Sequence, residues 1–174
     1  MAILLFAFWQ AETGNRFFRS PDFRRLKADL VLYGIRYRRD TKAKGSQWVV
    51  RAETARLYEK KRTCEFDKVD ILFLPHSKDS LRVVANKGLY DLDKGDLKVS
   101  GHVIVSGYRG YVLYSEKLFY HPDTMTIEVP GRAELVGTGG NRLLGTSMVY
   151  YMKEGRLTLA SPRAVLSDEE SAID

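Results

Sequence analysis

The stretch VVANKGLYDLDKGDLKVSGHVIV, Val83 to Val105, alternates small or apolar residues with polar ones, and the phase of that alternation changes partway along. Leu81, Val83 and Ala85 occupy odd positions, Gly88 and Tyr90 even ones, and Leu97, Val99, Gly101, Val103 and Val105 odd ones again. Period two marks a half-buried strand. A strand changes which residues face inward only by a bulge or a sharp bend, and small residues favour both. The break recurs four times. WVVRAETARLY places Ala52, Ala55 and Leu57 as LRVVANKGLY places Ala85, Gly88 and Tyr90. YVLYSEKLFY supplies Ser115, Leu118 and Tyr120, and NRLLGTSMVY supplies Gly145, Met148 and Tyr150, so the leading small residues stand 33, 30 and 30 apart.

Seven residues past the last marker of each copy a return strand begins: Cys64 and Phe66, Leu97 and Val99, Ile127 and Val129, Leu157 and Leu159. Gly101 and Gly131 also align. The connections DLDKGD (Asp91–Asp96), HPDT (His121–Thr124) and KEG (Lys153–Gly155) carry turn chemistry. Each repeat therefore reads as a strand kinked at its Ala, Ser or Gly, a short turn, and a return strand. We expect an all-β protein: a folded antiparallel sheet, jelly-roll-like, made of about four stacked hairpin repeats with open edges. A sandwich or a barrel is the other solution for such hairpins. One short helix is expected to start at Ser20–Leu26, with Ser20 as cap and Pro21 in its first turn.

The 174 residues, 44% hydrophobic and 29% charged, fit one globular domain with a real core. A net charge of +6 points to an anionic partner. The single cysteine, Cys64, excludes an intramolecular disulfide, and it falls on an inward strand phase as a small buried hydrophobe. His76, His102 and His121 lie far apart without metal-ligand spacing. GTGGNRLLG (Gly137–Gly145) lacks the Gly-Lys-Ser/Thr of a phosphate loop and precedes a strand, so it reads as a hairpin turn. We expect no catalytic residue, no metal site and no cofactor. Residues 1–9 read as a partial membrane anchor or apolar tail, 10–27 as a linker, 28–166 as the β domain and 167–174 as a disordered tail.

RYRR (Arg36–Arg39) with Lys42 and Lys44 forms one basic cluster and KKR (Lys60–Arg62) another. These are either solvated edges that discourage pairing or contacts to phosphates, with Arg36, Arg38, Arg39 and Lys42 as the candidates. Tyr33, Tyr37 and Trp48 interleave with the basic residues as in a nucleic-acid binder. These aromatics fall mostly on the inward phase, however, so nucleic acid is not the expected partner.

VLYGIRYRRDTKAKGSQWVVRAETARLY, followed by ANKGLYDLDKGDLKVSGHVIV, GYVLYSEKLFY and GTGGNRLLGTSMVYY, resembles the LptC family over about Leu30 to Val165. The W-x-V-x-A, A-x-x-G-x-Y and G-x-V strands and the late Gly-rich turn carry the resemblance. It implies an OstA-like jelly roll in the periplasm, tethered to the bacterial inner membrane through the N-terminus and without enzymatic activity. Such a protein takes lipopolysaccharide from an inner-membrane ABC transporter complex and passes it to an LptA-like protein. On that reading the inner face of Trp48, Val50, Leu81, Val83, Val99, Val103, Val105, Leu113, Ile127, Val129, Leu143 and Leu157 holds lipid. Leu30, Leu32 and Tyr37 mark the edge docked to the extractor. Leu143, Leu157 and Leu159, within Asn141–Val165, mark the edge that pairs with the next bridge protein. The alternatives are an LptA-like bridge protein itself, or a carbohydrate- or nucleic-acid-binding β domain.

Overall fold

A computed structural model describes residues 28–40, 47–74 and 80–166. Ten strands follow one another: β1 (Leu30–Asp40), β2 (Gln47–Tyr58), β3 (Thr63–Leu74), β4 (Leu81–Asp91), β5 (Leu97–Tyr108), β6 (Tyr111–His121), β7 (Thr126–Val136), β8 (Arg142–Tyr151), β9 (Arg156–Ala160) and β10 (Arg163–Val165). From β1 to β8 each strand pairs antiparallel with the next, so sheet order equals chain order. β9 and β10 then share β8, the first along Ser147–Tyr151 and the second along Arg142–Leu144. The expected hairpins are β2–β3, β4–β5, β6–β7 and β8–β9. In the second, Asp91 Oδ1 accepts from the amides of Asp93 and Lys94 at 2.9 Å each, the Asx geometry that closes such turns. The expected helix at Ser20, the apolar stretch Ala2–Trp9, the linker and the tail 167–174 lie outside the described residues. Among the described residues no helix is long and apolar enough to cross a membrane.

One line crosses the sheet near the middle of its strands. In the return strands it is marked by a left-handed residue: Gly34 in β1, Lys68 in β3, Gly101 in β5 and Gly131 in β7, at φ of 61°, 52°, 80° and 78°, with Ser161 at 48° between β9 and β10. From Lys68 onward these positions are again 33, 30 and 30 apart. Two bulges lie here too, and not at the small residues of the outgoing strands, while a further slip between Val105 and Tyr108 lies at the end of the β5–β6 pair. From Ser100 to Val103 β5 takes three steps while β6 takes two, from Lys117 to Ser115. From Pro130 to Ala133 β7 takes three while β8 takes two, from Ser147 to Gly145. Glycine enters the left-handed region without steric cost, which explains its place at these two bulges. Between β1 and β4 the line is crossed without any slip of register.

At this line the sheet folds into two wings. The first comprises the early halves of β2, β4, β6 and β8, the late halves of β1, β3, β5 and β7, and β10. The second comprises the remaining halves and β9. Their inner faces meet, as the packing of Trp48 in the first wing against Tyr120 in the second demonstrates. The main core holds Val69, Ile71, Val99, Val103 and Val129, each buried to within about 1% of complete exclusion from solvent. A smaller cluster of Ile35, Ala52, Ala55, Leu57 and Cys64 fills the N-terminal end, and Phe66 packs on both. Val69, Ile71 and Phe73 are core residues absent from the inner face expected from sequence.

Candidate functional site: the space between the wings

All twelve residues expected on the inner face are brought together. Leu81, Val83, Val99, Val103, Val105, Leu113, Ile127 and Val129 are buried in the main cluster, and Trp48, Val50, Leu143 and Leu157 pack against it. They divide into two kinds. Around Val99, Val103 and Val129 the wings are in full contact and the core is filled. Towards the C-terminal strands the wings part around an apolar cleft with about 40 Å³ of free interior, partly open to solvent. Leu81, Val105, Tyr111, Leu113 and Leu135 line it from the first wing, and Leu118, Ile127, Met148, Tyr150 and Leu157 from the second. That space is small beside the roughly 300–1,000 Å³ of ordinary ligand pockets, so a guest has to press the wings further apart.

Leu118, Met148 and Tyr150 carry a sequence signal as recurring markers of the repeat. Leu135 carries none, because it follows the Gly131 bulge on a strand whose alternation is interrupted there. At the rim Tyr111 is 43% exposed. Its ring lies over Gly137, where an added Cβ would stand 3.1 Å from Tyr111 Cε1. The cleft presents almost only apolar surface, with the Tyr111 and Tyr150 phenols as the polar groups among its lining side chains. Such surface gains about 25 cal/mol for each Å² removed from water, which suits an aliphatic chain.

The polar groups lie elsewhere. Arg36 and Arg38 alternate with the inward Ile35 and Tyr37 and are exposed on the outer face, so they point away from the cleft. The side chain of Arg39 and all of Lys42 lie outside the described residues, as does His76. Cys64 is buried, and desolvation pushes its thiol up to about 12, which makes it inert. On the outer side of the fold line Lys68 Nζ donates to Asn86 Oδ1 at 3.2 Å, and Asn86 Nδ2 meets His102 Nδ1 at 3.0 Å. His121 stands 3.4 Å from Asp96 and 3.9 Å from Glu128. Among the described residues no three His, Cys, Asp or Glu side chains are placed to hold a metal ion.

The edges differ from expectation at one residue. Leu30, Leu32 and Tyr37 lie on the edge strand β1, and Leu157 and Leu159 on β9 at the other end. Leu143 lies on β8 opposite Ala164 of β10, one strand in from the edge, because the chain runs on past Ser161 and Pro162 in the direction of β9 and keeps its register with β8. Thr158 Oγ1 donates to the carbonyl of Val149 at 3.3 Å, which places that carbonyl on the β9 side. Directly opposed antiparallel residues exchange both bonds or neither. The Thr158 amide is thus aimed into the sheet, and those of Leu157 and Leu159 are aimed outward.

A family model described as "Lipopolysaccharide-assembly, LptC-related" matches residues 1–166. Curated proteins show no sequence match to this chain. Among solved structures the fold is similar to that of LptH, the LptA-homologous periplasmic component of the lipopolysaccharide transport device of Pseudomonas aeruginosa. The TM-score is 0.54 at 14% identity, covering 69% of this chain and 94% of that one.

Proposed function

This chain belongs to the LptC-related family of lipopolysaccharide-assembly proteins, and on that premise we propose that the cleft between its wings holds the acyl chains of lipopolysaccharide in transit. The observation that carries the reading is the largely apolar cleft itself, at the end where the wings part. Acyl chains would exchange water for the side chains of Leu113, Leu118, Ile127 and Met148, and the sugar and phosphate groups would remain at the rim near Tyr111. The filled N-terminal core supports passage towards the C-terminal strands. We assign the β1 edge, with Leu30, Leu32 and Tyr37, to the inner-membrane ABC transporter complex. The β9 edge, with Leu157 and Leu159, goes to strand addition by an LptA-like protein. The N-terminal residues would tether the domain to the inner membrane on its periplasmic side.

Photo-crosslinkers at Leu113 and Leu118, introduced in cells that make lipopolysaccharide, are expected to capture it. The same probe at Lys117 and Phe119, outward neighbours on the second wing, is expected to capture little. Equal labelling of inward and outward positions would overturn the reading.

A further inference from the structure

The outer face of the first wing has a composition that the interior does not require. Val84, Ile104 and Tyr114 stand directly opposite one another on the adjacent strands β4, β5 and β6. They are 37%, 38% and 44% exposed. Single apolar residues on a surface are ordinary, but a contiguous row of three across the centre of a sheet is not.

Arginines frame this row. In the same register row Arg36 and Arg51 lie on β1 and β2, and Arg163 lies on β10. Arg82 and Arg142 stand in the next row. The two carboxylates of the face are recessed beneath guanidinium groups. Asp70, 24% exposed, is bound by Arg82 at 2.9 Å and lies 3.9 Å from Arg51, whose side chains are 57% and 55% exposed. Glu134, 19% exposed, lies 3.5 Å from Arg142, 58% exposed, and 3.3 Å from Arg132. Arg36 and Arg163 are exposed and make no ion pair with the described residues. Within these two rows the outermost charges are therefore cations, around an apolar strip that ends in a tyrosine, and the exposed Glu53 and Glu116 stand at the fold line.

We propose that this face rests on an anionic bilayer surface. Guanidinium groups pair with lipid phosphates, valine and isoleucine enter the headgroup boundary, and tyrosine sits at the level its amphipathic ring prefers. Charge complementarity selects the occupant, since a neutral surface would leave the arginine frame unmatched. The outer face of the second wing differs in its charges: Glu65, Asp67 and Glu128 alternate there with Lys87 and Lys98, its exposed Leu89 stands between Glu65 and Lys98, and Phe119 is covered by the Lys98 ammonium at 5.3 Å. This site is separate from the cleft and does not depend on what the cleft carries.

The test uses the full chain. An environment-sensitive fluorophore is placed on Ile104→Cys, and in a second variant on Phe119→Cys. The native thiol does not compete, because Cys64 is buried. Vesicles of phosphatidylglycerol in phosphatidylcholine are expected to brighten and blue-shift the probe at 104 and leave that at 119 unchanged. Arg36→Gln with Arg163→Gln is expected to weaken the response on the order of tenfold, as is raising the salt. An unchanged melting midpoint in that double variant separates loss of binding from loss of fold. Equal responses at 104 and 119, an equal response to pure phosphatidylcholine, or a blue shift that grows with protein concentration without vesicles would each overturn the proposal. The last would mean that a second copy covers the face.

Discussion

The ring of Trp48 in β2 lies 5.1 Å, centroid to centroid, from that of Tyr120 in β6, tilted by 46°. Three strands separate β2 from β6 in the sheet, so the two rings meet only because the wings fold onto each other. Trp48 also packs on Phe73 at 4.6 Å. Trp48→Ala removes both contacts and is expected to destabilise the domain by about 3 kcal/mol, with Trp48→Phe costing less than half of that. Urea midpoints of the two variants check this. Equal midpoints for wild type and Trp48→Ala would mean that the contact between wings does not hold the fold closed.

Gly145 and Gly131 are both glycines at the fold line, for different reasons. A Cβ at Gly145 would stand 2.4 Å from Leu159 Cδ1 and 2.8 Å from the carbonyl oxygen of Ala160, whereas one at Gly131 meets nothing within 4 Å. Gly131 instead has φ of +78°. Gly145→Ala is therefore expected to cost about 1–3 kcal/mol through collision and displacement of β9. Gly131→Ala should cost about 1–2 kcal/mol through backbone strain alone. Gly131→Asn should recover part of the loss, since Asn tolerates this region, while Gly145→Asn should be worse than Gly145→Ala.

The repeat, the phase flip, the four hairpins and the inner face are legible in the sequence because strand burial writes itself at period two. The left-handed residues are only half legible. Gly101 and Gly131 announce themselves, but Lys68 and Ser161 occupy the same conformation without a glycine to mark it. Missing that landmark in β3, the inner phase stops at Phe66, and Val69, Ile71 and Phe73 on its far side go unread. The basic cluster is legible as charge but not as direction. Only the alternation around Ile35, followed across Gly34, shows that Arg36 and Arg38 face outward. Leu143 is misplaced at an edge because three residues after Pro162 are too short a strand to recognise.

The outward amides at the C-terminal edge can be watched directly. Amide hydrogen exchange of Leu157 and Leu159 is expected to slow on adding an LptA-like partner. That of Thr158, already aimed at β8, should change little. Protection that appears on β1 instead would reverse the assignment of the two edges.

Cys64 gives the domain an alkaline limit. Burial raises its thiol from 9.0 to about 12. A raised folded value favours the protonated native state, so its contribution is intact below about pH 9 and lost as pH rises towards the folded value. Wild type is expected to lose stability over that window more steeply than Cys64→Ala. Iodoacetamide at about pH 8 should alkylate the thiol only in urea-unfolded protein. Ready alkylation of the native chain would contradict the burial.

Asp70 works in the opposite direction. Its hydrogen bonds from Arg82, and more weakly the charge of Arg51, hold the carboxyl below its ordinary 3.8. A depressed folded value gives stability that is present above the ordinary value and lost as pH falls through the folded one. Arg82 is more than half exposed and solvent screens the pair, so the effect is expected to stay under about 1 kcal/mol. Arg82→Gln should flatten the decline in urea midpoint below about pH 4. An unaltered acid limb would show that the pair contributes nothing measurable.

Because the left-handed position recurs with each hairpin and does not stand at a single hinge, length and cross-section are independent properties of this molecule. Tandem duplication of one hairpin would add two strand spacings, about 10 Å of interior, and bring with it the residues that crease the new segment. Deletion would shorten the passage by the same amount and leave its profile unchanged. The distance such a protein spans is thus open to adjustment by copy number, with no need to redesign any contact inside the unit being copied.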